Sequence, residues 1–118
     1  MPRNVFVSYA SRDRDSLQAI LDQLRRRRVL QADDNVFVDQ ENFAMGDSFR
    51  DATRAAIEAS DTVLVLWTHA AADSKWVNYE LAMADALGKQ VLVAVPRRKR
   101  APLPLQLATA TVVELPES

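Results

Sequence analysis

The sequence contains no cysteine, one histidine and two glycines, and each shortage removes a class of chemistry. Without cysteine there is no disulfide, no thiolate metal site and no cysteine nucleophile, which agrees with a reducing interior. With His69 alone, histidine-based metal clusters and Ser-His-Asp triads are removed too, so no metal is expected. Gly46 and Gly88 cannot build a Gly-rich phosphate loop, which disfavours a Rossmann dehydrogenase. No apolar run is long enough to span a bilayer. Met1-Pro2-Arg3-Asn4 leads straight into an alternating strand, without the apolar segment of a signal peptide, so a cytoplasmic chain is expected. Neither sign of charge dominates: the formal net charge of −1 gives no overall attraction to nucleic acid or to an anionic membrane. The basic runs Arg25-Arg26-Arg27-Arg28 and Arg97-Arg98-Lys99-Arg100 read as a helix end and an exposed loop. No aromatics interleave them to stack on bases, so neither nucleic acid nor membrane is an expected partner.

What the sequence does hold is one domain's worth of regular pattern. At 118 residues, 48% of them hydrophobic, the chain has room for a single buried core, residues 1–118. Asn4 to Tyr9 is apolar on both faces in its middle, as a central parallel strand should be. After the polar turn Ser11-Arg12-Asp13, a helix is expected from Asp13 to Arg28, with Leu17, Ile20, Leu21 and Leu24 at helical spacing. Val36 to Val38 makes a short strand closed by Asp39, a loop-ordering cap. The loop Gln40 to Asp47 follows, then a helix to about Ala59 capped by Asp47 or Ser48, with Phe49, Ala52, Thr53, Ala56 and Ile57 inward. Thr62 to Trp67 is nearly all apolar and is expected at the sheet centre.

His69 to Asp73 reads as a loop with His69 at its rim. Ser74 stands as an N-cap for a helix that runs to Leu87 and stops at Gly88. Strands at Gln90 to Val95 and Thr111 to Leu115 complete the set. Alternating strands and helices specify a doubly wound, flavodoxin-like α/β fold, a parallel five-stranded sheet in the order 2-1-3-4-5. Its closing helix is missing from the pattern, which suggests a piece of a longer protein or an edge completed by another subunit or domain. Ligands of such sheets sit beyond the carboxyl ends of the strands, where the winding reverses between strands 1 and 3.

The helix after Ser74 carries two stripes: Trp76, Glu80 and Met83 on one, Val77, Leu81 and Ala84 on the other. If the aliphatic stripe packs on the sheet, Trp76 and Glu80 face sideways toward the loops over that crevice. The plain structural alternative is a half-buried Trp at the sheet edge and a Glu in a surface salt bridge.

Val5-Phe6-Val7-Ser8-Tyr9 followed by Ser11-Arg12-Asp13 resembles the first motif of TIR (Toll/interleukin-1 receptor) domains. Val36-Phe37-Val38-Asp39, the loop with Gly46 and a helix opening on Phe49 resemble the second strand and BB loop of that family. Ala59-Ser60-Asp61 also fits, and Ser74-x-Trp76-x-x-x-Glu80-Leu81 is similar to the NAD-site motif of its bacterial branch.

The resemblance implies an NAD glycohydrolase or cyclase that releases nicotinamide, with NAD as substrate and no further cofactor. It assigns Glu80 as the catalytic residue. Tyr9, Ala10, Ser11 and Arg12 would contact the nucleotide, with Ser74 and Trp76 beside it and Phe49 and Trp67 as stacking surfaces or ordinary core aromatics. It also implies self-association through the loop Gln40 to Asp47 and helix faces, with a fused or partner sensor domain. The second reading is a non-catalytic interaction module. That loop lacks the proline common in adaptor-type members, and a pure adaptor needs no carboxylate four residues after Trp76.

Overall fold

The computed structural model describes residues 2–38, 46–96, 102–104, 107 and 110–115, with side chains omitted at 46–50. Five strands form one sheet: β1 (Asn4–Ser8), β2 (Asn35–Val38), β3 (Thr62–Leu66), β4 (Gln90–Pro96) and β5 (Thr111–Leu115). Their order is β2-β1-β3-β4-β5 and every neighbouring pair is parallel, as expected. The helices are α1 (Arg14–Arg26), α2 (Gly46–Glu58), α3 (His69–Asp73) and α4 (Lys75–Ala86), with a 3-10 turn at Ser11–Asp13 before α1.

β3 takes the centre because all five of its residues are buried, and a strand with no polar face needs cover on both sides. On one face, Phe6, Val63, Val65 and Val93 pack with Ile57 of α2, Ala71 of α3 and Val77, Leu81 and Ala84 of α4. On the other, Val5, Val7, Leu64, Leu66, Leu92 and Ala94 pack with Leu17, Ile20, Leu21 and Leu24 of α1 and with Leu30. No helix follows β5 among the described residues, and on this second face β5 is covered only in part, with Val113 half-buried. Leu115 of β5 joins the same cluster, and Arg27 just past α1 donates to the Glu114 carbonyl oxygen at 2.8 Å. The segment just past α1 therefore reaches the β5 side of the sheet.

Several expectations shift. Residues 69–73, read as a loop, form α3: the Thr68 hydroxyl accepts from the Ala71 N–H at 3.0 Å, and five residues are too few for periodicity to register. The α1 helix stops at Arg26, and Arg28 takes a positive φ of 61°, so the run of arginines turns out of the helix. Ala52 is exposed rather than inward, because Thr53 and Ile57 define the inner line of α2 and Ala52 lies about 100° round the helix from Thr53. Gly88, with φ of 68°, ends the α4 segment in the left-handed conformation expected of it. Asp39, most of the loop at 40–47, and the basic run at 97–100 lie outside the described residues, as do the side chains of Asp47 and Ser48.

The approach to β1 and β2 is held by a two-point ion pair. Arg3 donates from Nε and Nη2 to the two Asp34 carboxylate oxygens at 3.2 and 2.7 Å, and Nη2 also reaches the Val29 carbonyl at 3.0 Å. The Arg3 hydrogen bond holds the Asp34 carboxyl below the usual carboxylate range, helped by the Gln31 N–H and opposed by burial. Asp34 raises Arg3 in turn. The Asp34 contribution is therefore present above an unfolded carboxyl value of about 3.9 and is lost as pH falls through the lower folded value. The Arg3 contribution is lost only on the far alkaline side. Asp34→Asn is expected to cost about 1–3 kcal/mol at pH 7, with the gap to the parent closing as pH drops below about 4. Urea midpoints between pH 7 and pH 2 measure this, and a gap that stayed constant would refute the linkage.

Candidate functional site

β1 ends in Ser8, and the chain then crosses the carboxyl edge of the sheet as Tyr9, Ala10 and the turn Ser11–Asp13. β3 ends beside it, and its chain leaves through Trp67 and Thr68 into α3 and α4. Between these two exits lies a cavity of about 240 Å3, lined by Ala10, Ser11 and Arg12 on one side and Ala70, Asp73 and Ser74 on the other. It sits at the reversal of winding between β1 and β3, where the topology places a ligand. Four of the residues singled out in the sequence, Ala10, Ser11, Arg12 and Ser74, are thereby brought together.

Ser74 earns its place through local structure. Its hydroxyl accepts from the Val77 N–H at 3.1 Å and caps α4, while the Asn78 amide donates to the carbonyls of Ser74 at 2.8 Å and Ala72 at 3.1 Å. The α3–α4 junction is thus held by side chains as well as backbone. Arg12 and Asp73 give the cavity rim charges of opposite sign, and both are exposed.

Glu80 departs from both sequence-based expectations. It is 0% exposed and shares the buried face of α4 with Val77, Leu81 and Ala84, so it neither forms a surface salt bridge nor faces sideways into open cleft. Its helix angle lies about 40° beyond Ala84 at the edge of the aliphatic arc, on the side of Trp76, and the face that packs on the sheet is wide enough to include it. The Ser8 hydroxyl, also 0% exposed, donates to Glu80 Oε1 at 2.6 Å. Burying a carboxyl in an apolar layer is costly unless it is hydrogen-bonded, and such groups concentrate at functional sites. Ser8 was not singled out in the sequence. The available signal was a hydroxyl at the end of an otherwise apolar strand.

The aromatics divide. Trp67 is 2% exposed within the core and donates its indole N–H to the Pro102 carbonyl at 3.2 Å, so it stands as a core aromatic rather than an open stacking surface. Tyr9 is buried on the α1 face, away from the α3–α4 side. Trp76 is half-buried in the first turn of α4 and stacks on Tyr79, with ring centroids 5.2 Å apart. Phe49 falls in α2, and its side chain lies outside the described residues.

A second polar pair joins the two cavity walls. The Thr68 hydroxyl that caps α3 donates to Asp13 Oδ2 at 2.6 Å, and both residues are buried. Neither was picked out as a site residue. Among the described residues, no group of three or more His, Asp or Glu side chains is placed to hold a metal ion, and no helix is long and apolar enough to cross a membrane.

Residues 5–117 match the sequence profile of the family described as TIR domain. Solved structures share the fold at low identity. The TIR domain of a Toll-related receptor from Hydra magnipapillata aligns with a TM-score of 0.68 and 20% identity, over 93% of this chain and 82% of that one. A CMP N-glycosidase of Clostridium botulinum aligns with a TM-score of 0.58 and 14% identity, over 97% and 88%. The TIR domains of the activated Roq1 resistosome, which recognises the pathogen effector XopQ, align with a TM-score of 0.58 and 19% identity, over 80% of this chain and 57% of that one. No curated protein matches the chain.

The buried pair gives a direct prediction. Ser8→Ala removes a hydroxyl donor from an enclosed carboxyl and should cost about 1–3 kcal/mol. Glu80→Gln keeps an acceptor toward Ser8 and should cost less. Urea unfolding of both variants checks the order, and a Ser8→Ala midpoint equal to the parent's would contradict the bond.

Proposed function

Because the chain belongs to the TIR domain family, we propose that it cleaves the N-glycosidic bond of NAD, releasing nicotinamide and forming ADP-ribose or a cyclised form. The observation that carries this reading is the enclosed Ser8–Glu80 pair close in sequence to the cavity lining. Ser8 lies two residues before Ala10, and Glu80 less than two turns beyond Ser74. Arg12 on the rim is suited to a phosphate, and Trp76, which stacks on Tyr79 and is not among the residues lining the cavity, is the proposed aromatic wall once the site opens.

The chemistry suits a sparse site. Nicotinamide is bound to ribose as a cationic ring, so when the C1′–N bond breaks the base takes the electron pair and leaves neutral. No general acid is needed, unlike the paired carboxylates used on ordinary glycosides. Glu80 holds the ribose and stabilises the positive charge that develops on it. Water then adds at C1′ and its proton passes to Glu80, or an adenine nitrogen adds instead and closes the ring. The similarity to a CMP N-glycosidase supports cleavage of a nucleotide N-glycosidic bond in general. Cytosine leaves CMP well only when it is protonated, so a single carboxylate favours NAD.

Glu80 has no solvent-accessible surface in this conformation, so the proposal includes a resting state that opens on self-association. Loop 40–47 and the helix faces are the proposed contacts, and a fused or partner sensor domain the proposed trigger. The presence of TIR domains within an activated resistosome supports assembly as the activating step. We place the activity in the cytoplasm and in a prokaryotic defence or signalling role. A second reading, a non-catalytic interaction module, draws on an apolar groove of about 470 Å3 beside β2, where Phe37 is 52% exposed.

Concentrated protein incubated with NAD should release nicotinamide, with little cytosine from CMP in parallel, and Glu80→Ala should lower the rate by about 100-fold or more. Undiminished release in the variant would remove Glu80 from the reaction. A chain that self-associates yet releases no base favours the interaction module.

A further inference from the structure

We propose that Asp13 and Thr68 form a clasp that sets the width of the cavity between the β1 and β3 exits, making them positioning residues for nucleotide binding. The proposal rests on the nucleotide reading above. The two walls come from segments far apart in sequence: the first carries Ala10, Ser11 and Arg12, the second Ala70, Asp73 and Ser74. Asp13 is the residue after Arg12 and Thr68 the second before Ala70, so the 2.6 Å bond from Thr68 Oγ1 to Asp13 Oδ2 ties the walls at their base.

Each end of the clasp is fixed to its own wall. The Asp13 N–H donates to the Ala10 carbonyl at 2.9 Å, which closes the 3-10 turn carrying Ser11 and Arg12. The Thr68 hydroxyl accepts from the Ala71 N–H at 3.0 Å, which starts α3. One hydroxyl thus uses its proton on one wall and a lone pair on the other, a chain from amide to hydroxyl to carboxylate in which each bond polarises the next. Asp13 and Thr68 are 4% and 2% exposed, so water competes little for either group. They reach no open cavity surface themselves. Their effect passes through Arg12 and Ser74, whose separation across the cavity they govern.

A residue of this kind acts on binding more than on the chemical step, since the carboxylate assigned to bond cleavage lies on α4. The test measures binding of ADP-ribose by amide chemical shifts at Ser11, Arg12 and Ser74, beside nicotinamide release from NAD. Thr68→Val and Asp13→Ala should each weaken ADP-ribose binding and raise KM about tenfold, with kcat changed less than about twofold. Thr68→Ser, which keeps the hydroxyl, should restore both. The double variant should be no worse than the Asp13 variant alone, because the shared bond is already lost there.

Asp34→Asn, placed at the opposite end of the sheet, controls for lost stability and should leave KM unchanged. Binding that survives in folded Thr68→Val overturns the clasp and leaves the hydrolase reading intact. Binding weakened as expected, with no nicotinamide released by the self-associated parent under the same saturating conditions, supports the clasp and overturns the hydrolase. A parent that binds no ADP-ribose at these residues overturns both.

Discussion

A carboxyl group with no access to water has to be held by partners the protein supplies, and that constraint organises the functional end of this molecule. Glu80 lies among Val77, Leu81 and Ala84 on the one face of α4 that the sheet can accept. Ser8, the last residue of β1, meets it there. Strand β1 and helix α4 are separated by 72 residues at this contact, so the hydrogen bond reports on the whole winding of the chain. If β1 were displaced by one residue, Tyr9 or Val7 would replace Ser8 and the carboxyl would face hydrocarbon.

Around this contact the molecule separates two jobs. The sheet is covered on either side of β3 by two largely apolar layers. At the carboxyl ends of β1 and β3 the connecting segments are instead ordered by hydroxyls and carboxylates: Ser74 and Thr68 at helix starts, Asp13 beneath the 3-10 turn. Hydrogen-bonded geometry of this sort fixes direction, which burial alone does not, and a ligand cavity needs directed walls. The opposite end of the sheet, where Arg3 and Asp34 pair, carries stability without touching the cavity. Defects at the two ends therefore have separable consequences.

Strand order, element order and the caps at Ser74 and Gly88 were legible because they depend on local patterns: alternating or continuous apolar runs, helical spacing, and residues with particular backbone preferences. What escaped is long-range. A glutamate between two stripes is read as a surface residue by its type, and only the packing of α4 on β1 shows that it is enclosed. The partnership of Thr68 with Asp13 spans 55 residues and leaves no mark on either neighbourhood. Helix α3 escaped for the opposite reason, since His-Ala-Ala-Ala-Asp is too short and too uniform to show a period. Trp67 illustrates a third case: residue type and position suited a stacking surface and a core aromatic equally, and its bond to Pro102 decides for the core.

The parallel pairing of every strand bears on how the chain is made. β1 is synthesised first yet ends in second place, flanked by β2 and β3, while β4 and β5 add outward in the order in which they emerge. A growing chain can therefore close the β2-β1-β3 unit once Leu66 is available and extend along a single edge thereafter. Parallel pairing waits for each crossover, so every addition closes a long loop before it is rewarded. The partner of the hydroxyl at the end of β1 comes from α4, 72 residues further along the chain. The polar end of β1 is thus completed by α4, a segment made before β4 and β5, so the Ser8–Glu80 contact is available to the chain before its sheet is complete.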